Sequence, residues 1–297
     1  MDGSFIQHLM EFSYLRLALA ASVLASIACG VAGGYVVARR RSYLVGAMSH
    51  ALLGGVGLAR YLQVVHGWTW FTPMLGALLA AVLAATVISI LTTRGRMRED
   101  AILSAVWTLG VAAGVSFIAA TPGYAEDLNS YLFGNILLVS VSDLWMMAVM
   151  DAVILLTAWL LHTRFVALCF HEEGLLLRGV GVAWVSWVLH VLIGMTVVVL
   201  TQVVGVVLAL ALLVLPSATG ALFARRLPAV MLAGVVLSLL FCVGGLVISY
   251  GPGWPTGATI VELAVGGYVL LYVAHGAFAR LRRGSNRSLI DTRSSDV

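Results

Sequence analysis

The stretch YLVGAMSHALLGGVGLAR, residues 43–60, establishes the environment in which this chain folds. It is a long apolar run that follows the basic cluster Arg39-Arg40-Arg41 and carries one imidazole, His50. If a helix leaves a membrane surface at Arg41, His50 lies roughly 13 Å along it, near the middle of a ~30 Å hydrocarbon core. An ionisable side chain is costly at that depth, so His50 is a candidate functional residue. The alternative is that His50 only forms a hydrogen bond to a neighbouring helix.

The composition of the whole chain indicates a polytopic membrane protein. The chain has 297 residues, of which 61% are hydrophobic and 10% are charged, and its mean hydropathy is +1.04. Soluble domains carry about a quarter charged residues. All 17 basic residues are arginine, and a Walker A phosphate loop requires lysine. The sequence therefore excludes ATP hydrolysis through such a loop in this chain.

Apolar runs long enough to cross a bilayer predict an all-α fold with eight or nine transmembrane helices. The run at 203–224 is the one we expect to be broken or partial. The predicted spans are 14–38, 43–65, 72–93, 101–121, 144–162, 179–201, 203–224, 229–250 and 257–279.

Arginines mark alternate connections between these runs, which predicts an external N-terminus and a cytoplasmic C-terminus. The transmembrane domain is expected to cover residues 1–283. Residues 284–297 are rich in serine, arginine and aspartate, and they predict a disordered cytoplasmic tail.

The longest outer connection, 122–143, is the acidic one. Its residues Glu126 and Asp127 are candidates for attracting cations to an entrance, although ordinary surface charges would give the same pattern. The apolar part, 131–139, predicts a short helix at the outer surface.

The longest cytoplasmic connection, 163–178, predicts an amphipathic helix with a turn at Gly174, suited to docking on a soluble partner. Its His171-Glu172-Glu173 sequence does not form a zinc-protease motif. Such a motif requires a second histidine four residues after the first, and Leu175 occupies that position.

Three further ionisable residues lie within apolar runs, at depths estimated from the nearest cytoplasmic arginine at 1.5 Å per residue. Asp151 and His190 fall roughly 20 Å and 18 Å above that surface, and Glu262 falls roughly 27 Å above it. Imidazole and carboxylate ligands suit Zn²⁺, Mn²⁺ and Fe²⁺, and a transport site must release its ion. We therefore predict a metal pathway that includes His50, Asp151, His190 and Glu262. For the two acids, the alternative is a neutral or hydrogen-bonded group at a helix interface.

The chain resembles, over nearly its whole length, the membrane permease subunit of zinc/manganese-type ABC importers, the ZnuB/TroC-like family. Six motifs carry the resemblance in the same order: GAMSHALLGG (46–55), RMREDAILSAVWTLGVAAG (96–114), DLNSYLFGNILLVSVSDLW (127–145), HEEGLLLRGV (171–180), VVGVVLALALLVLPSATG (203–220) and PTGATIVEL (255–263).

The resemblance implies a homodimer of permeases in the bacterial cytoplasmic membrane, each bound to a separate ABC ATPase. A metal-binding periplasmic protein or lipoprotein is expected to deliver the ion. No permanent cofactor is implied, because ATP binds to the partner ATPase and Zn²⁺ or Mn²⁺ is cargo. The resemblance also makes 163–178 the segment that couples to the ATPase; the residues expected to act there are His171, Glu172, Glu173, Gly174 and Arg178.

The chain departs at two positions from the family pattern, in which an aspartate and a histidine lie four residues apart and a proline follows. The histidine is His50, but Gly46 stands at the aspartate position, and Gly54 replaces a proline after the histidine. Asp151 and Glu262 are the candidates for a substitute carboxylate.

We therefore predict a non-enzymatic permease that imports a divalent transition metal by alternating access, with zinc favoured over manganese. The first alternative is a permease for metal chelates of the siderophore or cobalamin type. The others are an ion-coupled secondary transporter, in which Asp151 and Glu262 carry protons, and an intramembrane metalloenzyme.

Overall fold

A computed structural model describes residues 11–93, 98–122, 134, 136–206 and 209–294 of the chain. In this part of the chain the regular structure is helical throughout, as the composition predicts. The helices are α1 (Ser13–Arg39), α2 (Ser42–His66), α3 (Pro73–Thr93), α4 (Glu99–Ala119), α5 (Val141–Phe170), α6 (Glu172–Leu177), α7 (Val182–Val204), α8 (Ala209–Phe223), α9 (Leu227–Tyr250) and α10 (Thr256–Ser294), with a 3₁₀ turn at Ile136–Leu138.

Eight of the helices in the described residues are long and apolar enough to cross a membrane. They correspond to eight of the predicted apolar runs, and the prediction of an all-α polytopic fold is confirmed. The remaining run, 203–224, is broken as expected: α7 ends at Val204, and α8 has only 15 residues. Gly205 lies at the break with φ 80° and ψ 169°, a backbone conformation that essentially only glycine adopts.

Helices α1, α2 and α7 form the centre of the bundle. Helix α1 packs against α9, α5 and α8, while α2 packs against α3 and α4, and α7 packs against α3 and α5. The contact face of α1 is built largely of small residues, and Ala18, Ala21, Ala25 and Ala28 are fully buried there. Small side chains let membrane helices approach closely, and close packing replaces the hydrophobic driving force that lipid does not supply.

Glycines bring α2 into backbone contact with both of its neighbours. A Cβ atom on Gly55 would collide with the carbonyl oxygen of Gly76 in α3. On the other side, a Cβ atom on Gly110 in α4 would lie 2.6 Å from the carbonyl oxygen of His50. Glycines in and opposite the 43–60 stretch therefore allow α2 to pack closely between α3 and α4.

The connection after α5, predicted to be cytoplasmic, differs from the prediction in where the chain turns. Helix α5 continues to Phe170, and the break comes at His171, whose φ of −146° and ψ of 60° are not helical. Gly174, the predicted turn, instead lies inside the six-residue helix α6. Leu175 is buried and anchors this short helix to the bundle, so the helix continues through the glycine.

The C-terminal helix α10 is described as far as Ser294 and so includes most of the predicted tail, 284–297. The boundary at residue 283 and the disorder beyond it stay predictions. The predicted outer helix at 131–139 falls mostly outside the described residues; the part that is described forms the 3₁₀ turn.

Candidate metal pathway and coupling segment

His50 lies in α2 and stacks on an aromatic ring from α4. Its imidazole and the indole of Trp107 have centroids 4.3 Å apart and planes inclined by 21°. The Nδ1 atom of His50 is buried and has no hydrogen-bond partner in the described residues. An unpartnered ring nitrogen is free to accept a proton or to bind a metal ion, so the geometry suits a ligand.

Trp107 also covers Gly46, the position that precedes His50 by one helical turn. A Cβ atom on Gly46 would lie only 2.8 Å from Cζ3 of Trp107. The indole thus fills the space into which a side chain at position 46 would project. The missing aspartate of the family pattern is therefore matched by a large aromatic residue on the facing helix.

An apolar cavity of about 300 Å³ lies between this part of α2 and helix α8. Trp107 contributes to its wall and so contacts both the cavity and His50. The lining residues are Ser42, Tyr43, Gly46, Trp107, Leu210, Ala211, Val214 and Leu215.

The other predicted metal residues do not join His50 in a shared site of three or more ligands in the described part of the chain. Within the described residues, no three His, Cys, Asp or Glu side chains are close enough to hold one metal ion. Asp151 in α5 is 3% exposed, and neither of its carboxylate oxygens has a described hydrogen-bond partner. His190 in α7 is 1% exposed, and Glu262 is exposed on α10. Their roles as ligands stay predictions.

The predicted entrance residues, Glu126 and Asp127, lie outside the described residues. Asp143, from the same connection, has a local role instead. Its side chain accepts a hydrogen bond from the backbone N–H of Ser140 at 3.1 Å, and the Ser140 hydroxyl caps the start of α5.

An ion pair joins the predicted coupling segment to the end of α1, in addition to the buried contact of Leu175. Glu172 in α6 lies 3.3 Å from Nη2 of Arg39 at the end of α1. The Arg39 side chain is only 7% exposed, whereas that of Glu172 is 52% exposed. A second pair joins Arg41 to Glu99 at 3.0 Å and so ties the α1–α2 connection to the start of α4.

The other predicted coupling residues occupy the same short segment. His171, Glu173 and Arg178 are exposed, and Gly174 is partly buried. The exposed Leu176 and Leu177 add an apolar surface next to these charges, which suits a docking site for a soluble protein.

Sequence reasoning did not identify two residues that the structure places at these sites. Trp107 lies within the 96–114 motif, but the sequence pattern does not indicate that its ring faces His50. Arg39 was read as a charge marking the end of a helix, and its contacts with the coupling segment depend on the fold. A tryptophan or an arginine is common at membrane interfaces, so neither pattern was specific.

Comparison with known proteins shows similarity along almost the entire chain. A model of the family described as "ABC 3 transport family" matches residues 11–275. A "Probable metal transport system membrane protein" of Chlamydia pneumoniae is 36% identical over 268 residues, covering 90% of this chain and 91% of the relative. The "Manganese transport system membrane protein MntC" of Halalkalibacterium halodurans is 30% identical over 283 residues, covering 94% of each chain.

A similar fold is also known from a solved structure. A chain of PsaBC from Streptococcus pneumoniae, solved in complex with a Fab, superimposes with a TM-score of 0.80 at 28% sequence identity. The superposition covers 90% of this chain and 94% of that chain.

Proposed function

The chain belongs to the ABC 3 transport family, and we propose that it imports a divalent transition metal, with manganese favoured over zinc. The observation that carries the proposal is the family match over residues 11–275, which spans nearly all of the described bundle. The sequence alone favoured zinc because histidine is a common zinc ligand. The name of the Halalkalibacterium relative supports manganese instead.

His50 is the residue that we propose as a ligand on the pathway. Its Nδ1 atom is unpartnered, and its helix is fixed by backbone contacts on two sides, so the imidazole is held in one position. One protein ligand binds an ion weakly, and weak binding suits a conduit from which the ion must leave. Asp151, His190 and Glu262 stay predictions for further contacts.

Transport requires a source of free energy that this chain does not contain. We propose that a separate ABC ATPase binds the coupling segment around α6, and that its closure on ATP moves this segment. The ion pair between Glu172 and Arg39 links the segment to α1. A metal-binding receptor on the outer side and a second copy of the permease complete the proposed importer in the bacterial cytoplasmic membrane.

A second candidate is a permease for a chelated metal. The cavity of about 300 Å³ beside Trp107 favours it, because this space is far larger than a bare ion and its lining is almost entirely apolar. In that case the chelator supplies the ligands, and transport does not depend on His50.

The proposal is tested by uptake of radioactive manganese and zinc into metal-starved cells. The strains compared are wild type, a deletion strain and His50→Ala, with membrane levels of the protein measured in parallel. We expect the deletion to abolish high-affinity manganese uptake and His50→Ala to reduce it at least about tenfold, since one lost ligand costs roughly 1.4 kcal/mol or more.

Three results would change this conclusion. Loss of zinc uptake alone would reverse the order of the metals. Normal uptake by His50→Ala would remove His50 from the pathway while leaving the permease assignment in place. If the deletion affects neither ion but prevents uptake of a metal chelate, the second candidate is correct.

A further inference from the structure

A second, much smaller cavity lies between α1, α2 and α7, near the ion pair that connects the coupling segment to the bundle. Its volume is about 10 Å³. Arg39 and His190 both contribute to its wall. The full lining is Tyr35, Val36, Arg39, Arg41, Leu44, Leu189, His190 and Ile193.

Three polar atoms of these two side chains are buried without a described hydrogen-bond partner. They are Nη1 of Arg39 and both ring nitrogens of His190. A buried donor that loses its water and gains no partner costs about 1–3 kcal/mol, and a charged donor costs more. Two such side chains around one cavity indicate that a small polar ligand belongs there.

The size of the cavity restricts this ligand to one water molecule. A buried water needs roughly 10–15 Å³ of free volume and two or more polar partners. Arg39 supplies donors, and a neutral His190 supplies one acceptor nitrogen, so a water molecule can accept from the first and donate to the second.

The charges around the cavity disfavour an ion. Arg39 is paired with Glu172, and Arg41 is paired with Glu99, so neither guanidinium group leaves an uncompensated positive charge to hold an anion. A metal cation would lie beside two guanidinium groups, which repel it. A water molecule is neutral, so it neither requires an uncompensated positive charge nor is repelled by the guanidinium groups.

We propose that Arg39 and His190 bind one internal water molecule, and that this water connects the coupling segment to the central helix α7. The connection runs from Glu172 in α6 to Nη2 of Arg39, then from Nη1 through the water to a ring nitrogen of His190. Movement of α6 thereby changes a buried hydrogen bond in the bundle. The second half of the proposal rests on the proposed function as an ATP-driven importer.

The water itself is tested by crystallography of the full chain at a resolution that shows ordered solvent. Crystals are grown with manganese chloride and, separately, with sodium bromide, and anomalous diffraction is recorded for both. We expect one peak within hydrogen-bond distance of Arg39 Nη1 and His190, with no anomalous signal. A manganese signal would make His190 a metal ligand, a bromide signal would make this an anion site, and absence of any peak would leave no bound ligand. Each of these three results overturns the proposal.

The coupling role is tested in proteoliposomes that contain the permease with its ATPase and receptor. The measured quantity is the number of manganese ions imported per ATP hydrolysed. We expect His190→Leu, which has no acceptor, to lower this ratio at least about fivefold, the lower end of typical coupling between sites. His190→Gln, whose amide oxygen accepts a hydrogen bond, should retain most of it.

The matched control is His275→Leu, which removes an exposed imidazole from α10. Thermal unfolding of all variants separates loss of coupling from loss of folding. An unchanged ratio in His190→Leu, or an equal loss in His190→Gln, would refute the coupling role. If the wild-type complex imports no manganese, the proposed function fails, while the crystallographic result on the water still stands.

Discussion

Trp107 explains how this chain tolerates glycine where the family pattern has an acid. The indole occupies the space next to position 46 and stacks on His50 one turn further along α2. Aromatic stacking is worth about 0.5–1.5 kcal/mol beyond burial, so Trp107 also restricts the rotation of the imidazole. The proposed ligand, His50, and the residue that restricts its orientation, Trp107, therefore lie on two different helices.

The first prediction concerns the fit between Gly46 and Trp107. Gly46→Ala should destabilise the protein by about 1–3 kcal/mol, because the added Cβ overpacks against the indole. Adding Trp107→Ala should relieve this specific penalty. Thermal unfolding in detergent measures both effects. Gly266→Ala is the control, since a Cβ atom on Gly266 meets no atom within 4 Å. Equal effects at the two glycines would show that Trp107 does not press on position 46.

A second prediction restores the absent carboxylate. The double variant Gly46→Asp/Trp107→Ala should bind manganese more tightly than Trp107→Ala alone, because residues four apart on a helix present their side chains to the same side. Binding of Mn²⁺ to the purified chain is measured by electron paramagnetic resonance. Weaker binding in the double variant would show that the carboxylate and His50 do not act on one ion.

His50 was identified from the sequence because an imidazole in the middle of an apolar run is costly and easily noticed. The orientation of Trp107 was not visible, because a tryptophan is equally acceptable towards lipid and towards another helix. That Arg39 and His190 line one cavity depends on contacts between helices, because the two residues are 151 positions apart in the sequence. Such contacts follow from the fold and leave no local pattern.

Among the secondary-structure elements, the break between α7 and α8 is the clearest example of a glycine that the backbone requires. Gly205 has φ 80° and ψ 169°, and the backbone of Val204 and Gly205 lies directly against Gly134 from the outer connection. A side chain at either glycine would meet this crowded backbone.

The third prediction is that Gly205→Ala destabilises the protein by about 1–3 kcal/mol, the usual cost of a residue held in a sparsely populated backbone region. Gly181→Ala, at φ −64° and with open space around its Cβ position, should change stability little. Chemical unfolding of the two variants gives the comparison. A larger effect at Gly181 would contradict the described backbone.

The two helix breaks show what glycine indicates in a sequence. The break in 203–224 agrees with the prediction, and in the structure it lies at Gly205, whose φ of 80° and ψ of 169° a residue with a side chain rarely adopts. The turn at Gly174 was predicted wrongly, because a glycine inside a helix costs only about 1 kcal/mol, and burial of Leu175 offsets it. Glycine permits a turn, and the surrounding packing determines whether one forms.

At the scale of the whole molecule, the distribution of arginines gives the fourth prediction, which requires the short helix α8 to complete a ninth crossing, because only an odd number of crossings separates the two termini. An enzyme active only outside the cytoplasm, such as alkaline phosphatase, should be inactive when fused after residue 294, and a cytoplasmic fluorescent protein should fluoresce there. Fusion at residue 68, in the connection that follows α2, should give the opposite result. If the phosphatase is active after residue 294 and the fluorescent protein fluoresces at residue 68, the topology is the reverse of the prediction and α6 lies outside.

The composition and the apolar runs were sufficient to predict the fold class and eight crossing helices. A chain that crosses the hydrocarbon core must satisfy its backbone hydrogen bonds internally, and long apolar runs do so as α-helices. The arrangement of the helices was not predictable in the same way. In a soluble helix the polar face marks solvent, but here lipid and protein interior are both apolar, so the faces of a helix look alike in the sequence. Only costly residues such as His50 and Asp151 marked an inner face.

The contacts of Gly55 with Gly76, and of Gly110 with the backbone at His50, have a consequence for motion. Helices that touch backbone to backbone have no layer of side chains through which to slide or to rotate. We therefore expect α2, α3 and α4 to move during transport as one rigid body that carries His50 and Trp107 together. A hinge must then lie at its border, where Arg40, with φ 57°, and Arg41 join α1 to α2.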